Sequence, residues 1–267
     1  MAAFAAFCSE THAFESMTVP GDPPLQVQWQ PVSQSGPRPA IIALHGCGGL
    51  YNSRRQLDDR YVSYAERWNA AGWHVVAPDS FGSRGSGSIC SQRAEERTIK
   101  VAQRRDDVLR TAAWLMARND VDPRRVAVVG WSHGATTALE VLDRTLWRQP
   151  PAAIVTYYPG CTSWQRRPLV ELAAPLLMML GEADDWTPPA PCKDLADRVQ
   201  ARYPDTVTLR AYADAYHGFD SRFPVRFRAE IPSGVDQRGV HVGGNPAARA
   251  ASLTELDQFL ASHLQQP

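Results

Sequence analysis

The sequence predicts an α/β fold: a mostly parallel sheet of the eight-stranded type, covered by helices on both faces and without a separate cap domain. Three observations predict it. Short, continuous apolar runs recur along the chain, among them Ala40-Ile41-Ile42-Ala43-Leu44, Val126-Ala127-Val128-Val129 and Leu176-Leu177-Met178-Met179-Leu180. Strands apolar on both sides belong inside a parallel sheet, where helices cover each face. These runs alternate with longer stretches of helical periodicity, the pattern of βαβ units. Finally, 267 residues with 44% hydrophobic content supply one sizeable core.

The elements follow in order. Ser16–Val19 and Leu25–Trp29 read as two opening strands separated by the turn signal Pro20-Gly21-Asp22-Pro23-Pro24. After a polar link, Ala40–Leu44 is a central strand. Leu57–Ala71 reads as a helix stopped by Gly72, and Trp73–Pro78 as the next strand. A Gly/Ser-rich loop over Asp79–Gln92 leads to a long amphipathic helix over Ala94–Asn119, with Val101, Val108, Ala112 and Leu115 at helical spacing. Arg125–Val129 is the following strand and Thr136–Leu142 a helix. Ala153–Tyr158 and Pro175–Leu180 are two further buried strands, and only about sixteen residues part them, too few for a cap. Cys192–Ala201 is helical, Val207–Tyr212 is the last strand, residues 213–245 read as a long loop, and Pro246–His263 closes the chain as a helix. Residues 17–267 are expected to form one domain, preceded by an extension or signal remnant over residues 1–16.

Composition excludes several classes of function. Formal net charge is zero, so nothing points to nucleic acid or an anionic membrane as partner. No apolar run approaches the about 18 residues of a membrane span. The five cysteines (Cys8, Cys47, Cys90, Cys161 and Cys192) are dispersed without a Cys-x-x-Cys pair, which argues against metal ligation and leaves room for one or two disulfides. His-Glu-x-x-His, dinucleotide-binding and phosphate-loop patterns are missing, so neither a metal nor a cofactor is expected. The N-terminus lacks a basic segment before its Ala/Phe run, which favours a cytoplasmic protein, with periplasmic or secreted placement as the alternative.

The chemistry concentrates at Gly130-Trp131-Ser132-His133-Gly134, where a β-branched strand meets a helix. That context makes Gly-x-Ser-x-Gly a nucleophile elbow: the turn is too tight for ordinary backbone angles and lifts the serine hydroxyl clear of the sheet. The glycines stand where a Cβ would clash, and the amide of His133 becomes available to a developing oxyanion. His45-Gly46-Cys47-Gly48-Gly49 follows the central strand and places a second amide donor, that of Cys47, across from it.

A serine hydroxyl needs a base, and the base an orienting carboxylate, both expected just after strands and in the chain order Ser, Asp, His. Of the seven histidines, His217 lies in a short loop directly after the last strand; His241 is the competitor, set deep in a Gly-rich excursion. Asp184 and Asp185 both follow a buried strand, and at most one of them faces the histidine. Trp131 and Trp186 flank the nucleophile and the acid and are candidate walls of an acyl pocket.

Together, Leu44-His45-Gly46-Cys47-Gly48-Gly49, Gly130-x-Ser132-x-Gly134, Gly181-x-x-Asp184-x-x-x-Pro188 and Tyr216-His217-Gly218-Phe219 resemble the dienelactone hydrolase family of α/β-hydrolases, over about Ile41–His263. The resemblance implies the α/β-hydrolase fold and makes Asp184 the carboxylate. The family proper carries a cysteine nucleophile where this chain has Ser132, which argues for a general carboxylic-ester hydrolase acting on small-molecule esters. The family also grips a substrate carboxylate with two arginines, to which Arg84 and Arg222 are comparable in position. An acyltransferase or peptidase with the same triad, and a non-catalytic protein of the same fold, are the alternatives.

Overall fold

The structure, a computed structural model, describes residues 13–93 and 95–265. Its centre is an eight-stranded sheet formed by β1 (Glu15–Val19), β2 (Leu25–Gln30), β3 (Arg38–Leu44), β4 (His74–Pro78), β5 (Val121–Trp131), β6 (Ala153–Tyr157), β7 (Leu176–Gly181) and β8 (Val207–Tyr212). The spatial order is β1-β2-β4-β3-β5-β6-β7-β8. β1 and β2 pair antiparallel, β2 runs antiparallel to β4, and the six remaining strands are parallel.

Helices α1 (Asp59–Ala70) and α5 (Pro246–Leu264) cover one face; α2 (Val101–Met116), α3 (His133–Leu139) and α4 (Ala190–Arg202) cover the other. The two faces divide the strand residues by alternation, as the pleat requires. Ala40, Ile42 and Leu44 of β3 pack with α2 and α3, whereas Ile41 and Ala43 face α1 and α5. Val126 and Val128 of β5 follow the first set, and Ala127, Val129 and Trp131 the second. This double burial is why the central strands read as unbroken apolar runs.

Two expectations are corrected. The long helix begins at Val101 instead of near residue 94, because residues 95–100 form turns; its expected first residue lies outside the described residues. The loop over residues 213–245 contains a small antiparallel hairpin, β9 (Arg226–Arg228) with β10 (Val240–Val242). The expected extension over residues 1–16 falls mostly outside the described residues.

Disulfides join Cys47 to Cys90 and Cys161 to Cys192. The first ties the loop after β3 to the loop after β4; the second ties the exit of β6 to α4. No helix is long and apolar enough to cross a membrane among the described residues.

Candidate active site

Parallel strands deliver their carboxyl ends to one edge of the sheet, and the loops that leave β3, β5, β6, β7 and β8 meet there. Ser132 leaves β5 with φ 53° and ψ −118°, a left-handed conformation that costs a non-glycine residue about 1–3 kcal/mol. The turn is held on both sides. A Cβ on Gly130 would lie 2.4 Å from the carbonyl oxygen of Gly134, and one on Gly134 would lie 2.1 Å from that of Leu44. The Ser132 amide donates to Tyr157 O at 2.9 Å, tying the elbow to the end of β6.

His217 Nε2 stands 2.8 Å from Ser132 Oγ, and His217 Nδ1 stands 2.9 Å from Asp184 Oδ2. A carboxylate only accepts, so Nδ1 carries the proton and Nε2 turns its lone pair toward the serine hydroxyl. Asp184 is itself fixed: Oδ1 accepts from the amides of Trp186 and Thr187 at 2.9 and 2.8 Å, and Oδ2 accepts from Thr187 Oγ1 at 3.0 Å. The loops carrying Asp184 and His217 touch because Gly181 permits it. An added Cβ there would sit 2.3 Å from Ala215 O, and the Ala183 amide donates to that same oxygen at 3.0 Å. The rings of Tyr158 and Trp186 lie 4.6 and 4.5 Å from the His217 ring, leaving the imidazole little freedom to swing.

Asp185 points elsewhere. Its Oδ2 pairs with His241 Nδ1 at 2.7 Å and its Oδ1 accepts the His241 amide at 2.8 Å. The two residues left open by residue type alone, Asp185 and His241, are thus partners of each other. Their bond anchors β10, and β10 braces His217: Val242 bridges to it, and the Gly243 amide donates to His217 O at 2.9 Å. Sequence reasoning missed this hairpin because strands of three residues are too short to show alternation.

The amides of Cys47 and His133 have no carbonyl partner among the described residues, and Cys47 lines the same cleft as Ser132 and His217. Three contacts fix the Cys47 segment. Tyr61 Oη accepts from the Gly46 amide at 3.0 Å, the Cys47 carbonyl accepts from the Ile89 amide at 2.9 Å, and the Cys47 thiol is bonded to Cys90. Beneath the site lies Arg104, only 1% exposed. Its guanidinium donates to His45 O and to His133 Nδ1, both at 2.7 Å. One side chain therefore grips both segments whose amides are unpartnered. Burial, then the charge of Arg104, hold the pKa values of His45 and His133 well below the ordinary imidazole value. His133 is thus neutral and accepts at Nδ1. Burial pushes Arg104 itself down to about 10, which still leaves it charged at neutral pH.

Replacing Arg104 by Met, close in length but unable to donate, is expected to lower kcat about 10- to 100-fold, less than the roughly 10²- to 10³-fold cost of deleting an oxyanion donor outright because the donors are displaced and not removed. KM is expected to change little. Steady-state kinetics beside a thermal melt check this, since a loss confined to Tm would make Arg104 structural only.

Three other expected site residues are placed differently. Trp131 is fully buried and packs against Tyr61, Tyr64, Trp68 and Tyr157, so it belongs to the core and not to the cleft wall. Trp186 does line the cleft. Arg84 turns away to make a two-pronged pair with Asp107 at 2.8 and 2.9 Å, because that buried carboxylate demands a cation. Arg222 lines a neighbouring cavity.

The sequence profile of the dienelactone hydrolase family matches residues 27–264. The chain belongs to that family. As such it is a hydrolase of the carboxylic-ester type. No curated protein matches it in sequence. Among solved structures, it is similar to a Klebsiella pneumoniae protein named for the same family, with 16% identity, 95% of this chain and 98% of that chain covered, and a TM-score of 0.69. It is also similar to a dienelactone hydrolase-like promiscuous phosphotriesterase from metagenomic libraries, with 20% identity, 94% and 99% covered and a TM-score of 0.68. Esterase 2 of Thermogutta terrifontis, phosphorylated by paraoxon, shares 18% identity over 97% of each chain, with a TM-score of 0.63. At these identities the likeness shows the shared fold, an α/β-hydrolase sheet with helices on both faces.

Proposed function

We propose that this family member is a serine hydrolase that cleaves small-molecule carboxylic esters through an acyl-enzyme, with Ser132 as nucleophile, His217 as base and Asp184 as orienting acid. The observation that carries the reading is the unbroken relay from Ser132 Oγ to His217 Nε2 at 2.8 Å and from His217 Nδ1 to Asp184 Oδ2 at 2.9 Å. His217 takes the hydroxyl proton as Oγ attacks the ester carbonyl. The amides of Cys47 and His133 receive the negative charge on the carbonyl oxygen. Collapse expels the alcohol, which leaves with the proton held by His217. Water then attacks the acyl-enzyme by the same route, releasing the acid and restoring Ser132.

The cleft in front of Ser132, about 300 Å³, is at the lower end of ligand-pocket sizes and suits a short acyl group. Among proteins of this fold, an esterase carries a paraoxon-derived phosphoryl group and another is a promiscuous phosphotriesterase. That kinship makes a fluorophosphonate probe the natural test. The native protein is expected to label covalently and Ser132→Ala not at all, with the tagged peptide identified by mass spectrometry. Equal labelling of the two would remove Ser132 as nucleophile.

The two disulfides also bear on location. Such bonds persist in oxidising compartments and are rare in the cytoplasm, so the reading favours a periplasmic or secreted enzyme over the cytoplasmic one that the N-terminal sequence suggested.

A further inference from the structure

Beside the catalytic cleft lies a second cavity of about 880 Å³. Its walls come from the start of α1 and the loop before it, from the chain between Asp220 and Arg228, and from the first turn of α5. Arg60, Arg228, Asp58 and Val242 line both cavities, so the two adjoin.

The cavity is strongly one-sided in charge. Six arginines and three aspartates line it, in a chain whose formal net charge is zero. Two of the three aspartates are already engaged. Asp220 pairs with Arg60 at 3.2 Å and accepts from the hydroxyls of Tyr64 and Tyr158 at 3.1 and 2.6 Å. Asp58 caps α1 by accepting from the Arg60 amide at 3.0 Å. Arg228 is paired with Glu230 at 2.6 Å. Arg54, Arg222, Arg226 and Arg249 have no carboxylate within ion-pair distance among the described residues. They come from separate elements, yet they face one hollow.

Gathering like charges in a concavity raises the local potential and draws in counter-ions. Guanidinium forks match carboxylate groups two hydrogen bonds at a time. A carboxylate has about four lone-pair sites, so two such forks saturate it; four uncommitted guanidiniums exceed what a single carboxylate needs.

We propose that this basin binds the part of the substrate remote from the scissile bond, and that this part carries two or more carboxylate groups. The inference rests on the reading of Ser132 as an ester-cleaving nucleophile. It assigns an anion site to Arg54, Arg226 and Arg249, which the family resemblance does not touch, and it leaves out Arg84, which is committed to Asp107. Phe223 and Pro224, on the same rim, offer an apolar surface to the carbon skeleton between the charges.

Two esters test it: 4-nitrophenyl butyrate, which is neutral, and the mono-4-nitrophenyl ester of tricarballylic acid, which carries two free carboxylates. The ratio of kcat/KM for the dianionic over the neutral ester is expected to fall about tenfold or more in the Arg226→Gln/Arg249→Gln double variant, chiefly through KM. The same ratio is expected to fall as KCl rises from about 0.02 to 0.5 M. Arg238→Gln, which removes an exposed arginine outside the basin, is expected to leave the ratio as it is. A ratio that the double variant does not move, or that is indifferent to salt, overturns the proposal. Calorimetric titration with benzene-1,3,5-tricarboxylate reads the basin without turnover. Binding that the double variant abolishes supports the site, and no binding to the native protein overturns it. If neither ester is cleaved but the tricarboxylate binds, the serine-hydrolase reading fails and the anion site stands.

Discussion

Asp184→Asn is expected to lower kcat by about 10⁴-fold while the protein stays folded. The fixed environment of the side chain dictates the result. Oδ1 accepts from the amides of Trp186 and Thr187, and an asparagine must keep its oxygen there to satisfy both donors. Its NH2 group is then forced toward His217, where it donates to Nδ1. The imidazole proton moves to Nε2, and the ring offers Ser132 a donor in place of a base. The loop geometry survives and the tautomer is wrong. Asp185→Asn supplies the contrast, because the Asp185 carboxylate bonds His241 and not His217; less than about a tenfold loss is expected there. Hydrolysis of 4-nitrophenyl butyrate, measured beside circular dichroism, separates the two. Comparable losses in both variants would mean that the carboxylate has been assigned to the wrong residue.

How far the site was legible depended on whether a residue's task is local or distant. Ser132 and its flanking glycines announce themselves because a strand, a sharp turn and a helix must be written consecutively to build an elbow. His217 was legible for a related reason: a strand end marks where its loop begins. The choice between Asp184 and Asp185 was not legible from residue type, since adjacent carboxylates in a turn differ only in direction. The structure separates them through the hydrogen bonds of Trp186, Thr187 and His241. Arg104 and Arg84 show the limit. Neither position names its partner in the sequence, yet Arg104 bridges His45 and His133 and Arg84 pairs with the buried Asp107. A periodicity pattern averages over neighbours, so it cannot reveal that a charged residue on a helix turns inward to partners some thirty or sixty positions away. Trp131 erred in the opposite direction. Adjacency to Ser132 suggested a pocket wall, but successive residues at a strand end point to opposite faces, and its side chain joins the core beside α1.

The fold and the chemistry are coupled most tightly at Gly134, where Gly134→Ala is expected to destabilise the protein by more than about 4 kcal/mol, a size reserved for a few mechanisms. The new Cβ would lie 2.1 Å from Leu44 O and 2.6 Å from His45 O. Both are backbone atoms at the end of β3, so no side chain can rotate away. Relief requires α3 to move off β3, and that motion disturbs His45 O, the acceptor of Arg104. Melting is therefore expected to drop by roughly 10 °C or more in a chain of this length, with the elbow and the Cys47 segment displaced together. Gly87→Ala is the matched control: its Cβ would meet nothing within 4 Å, and a change within about 0.5 kcal/mol is expected, as for other open surface positions. Calorimetric melts of the two variants decide the matter. If Gly134→Ala melts within a couple of degrees of the native protein, the contact between β3 and α3 is looser than these distances state, and the elbow does not owe its shape to that glycine.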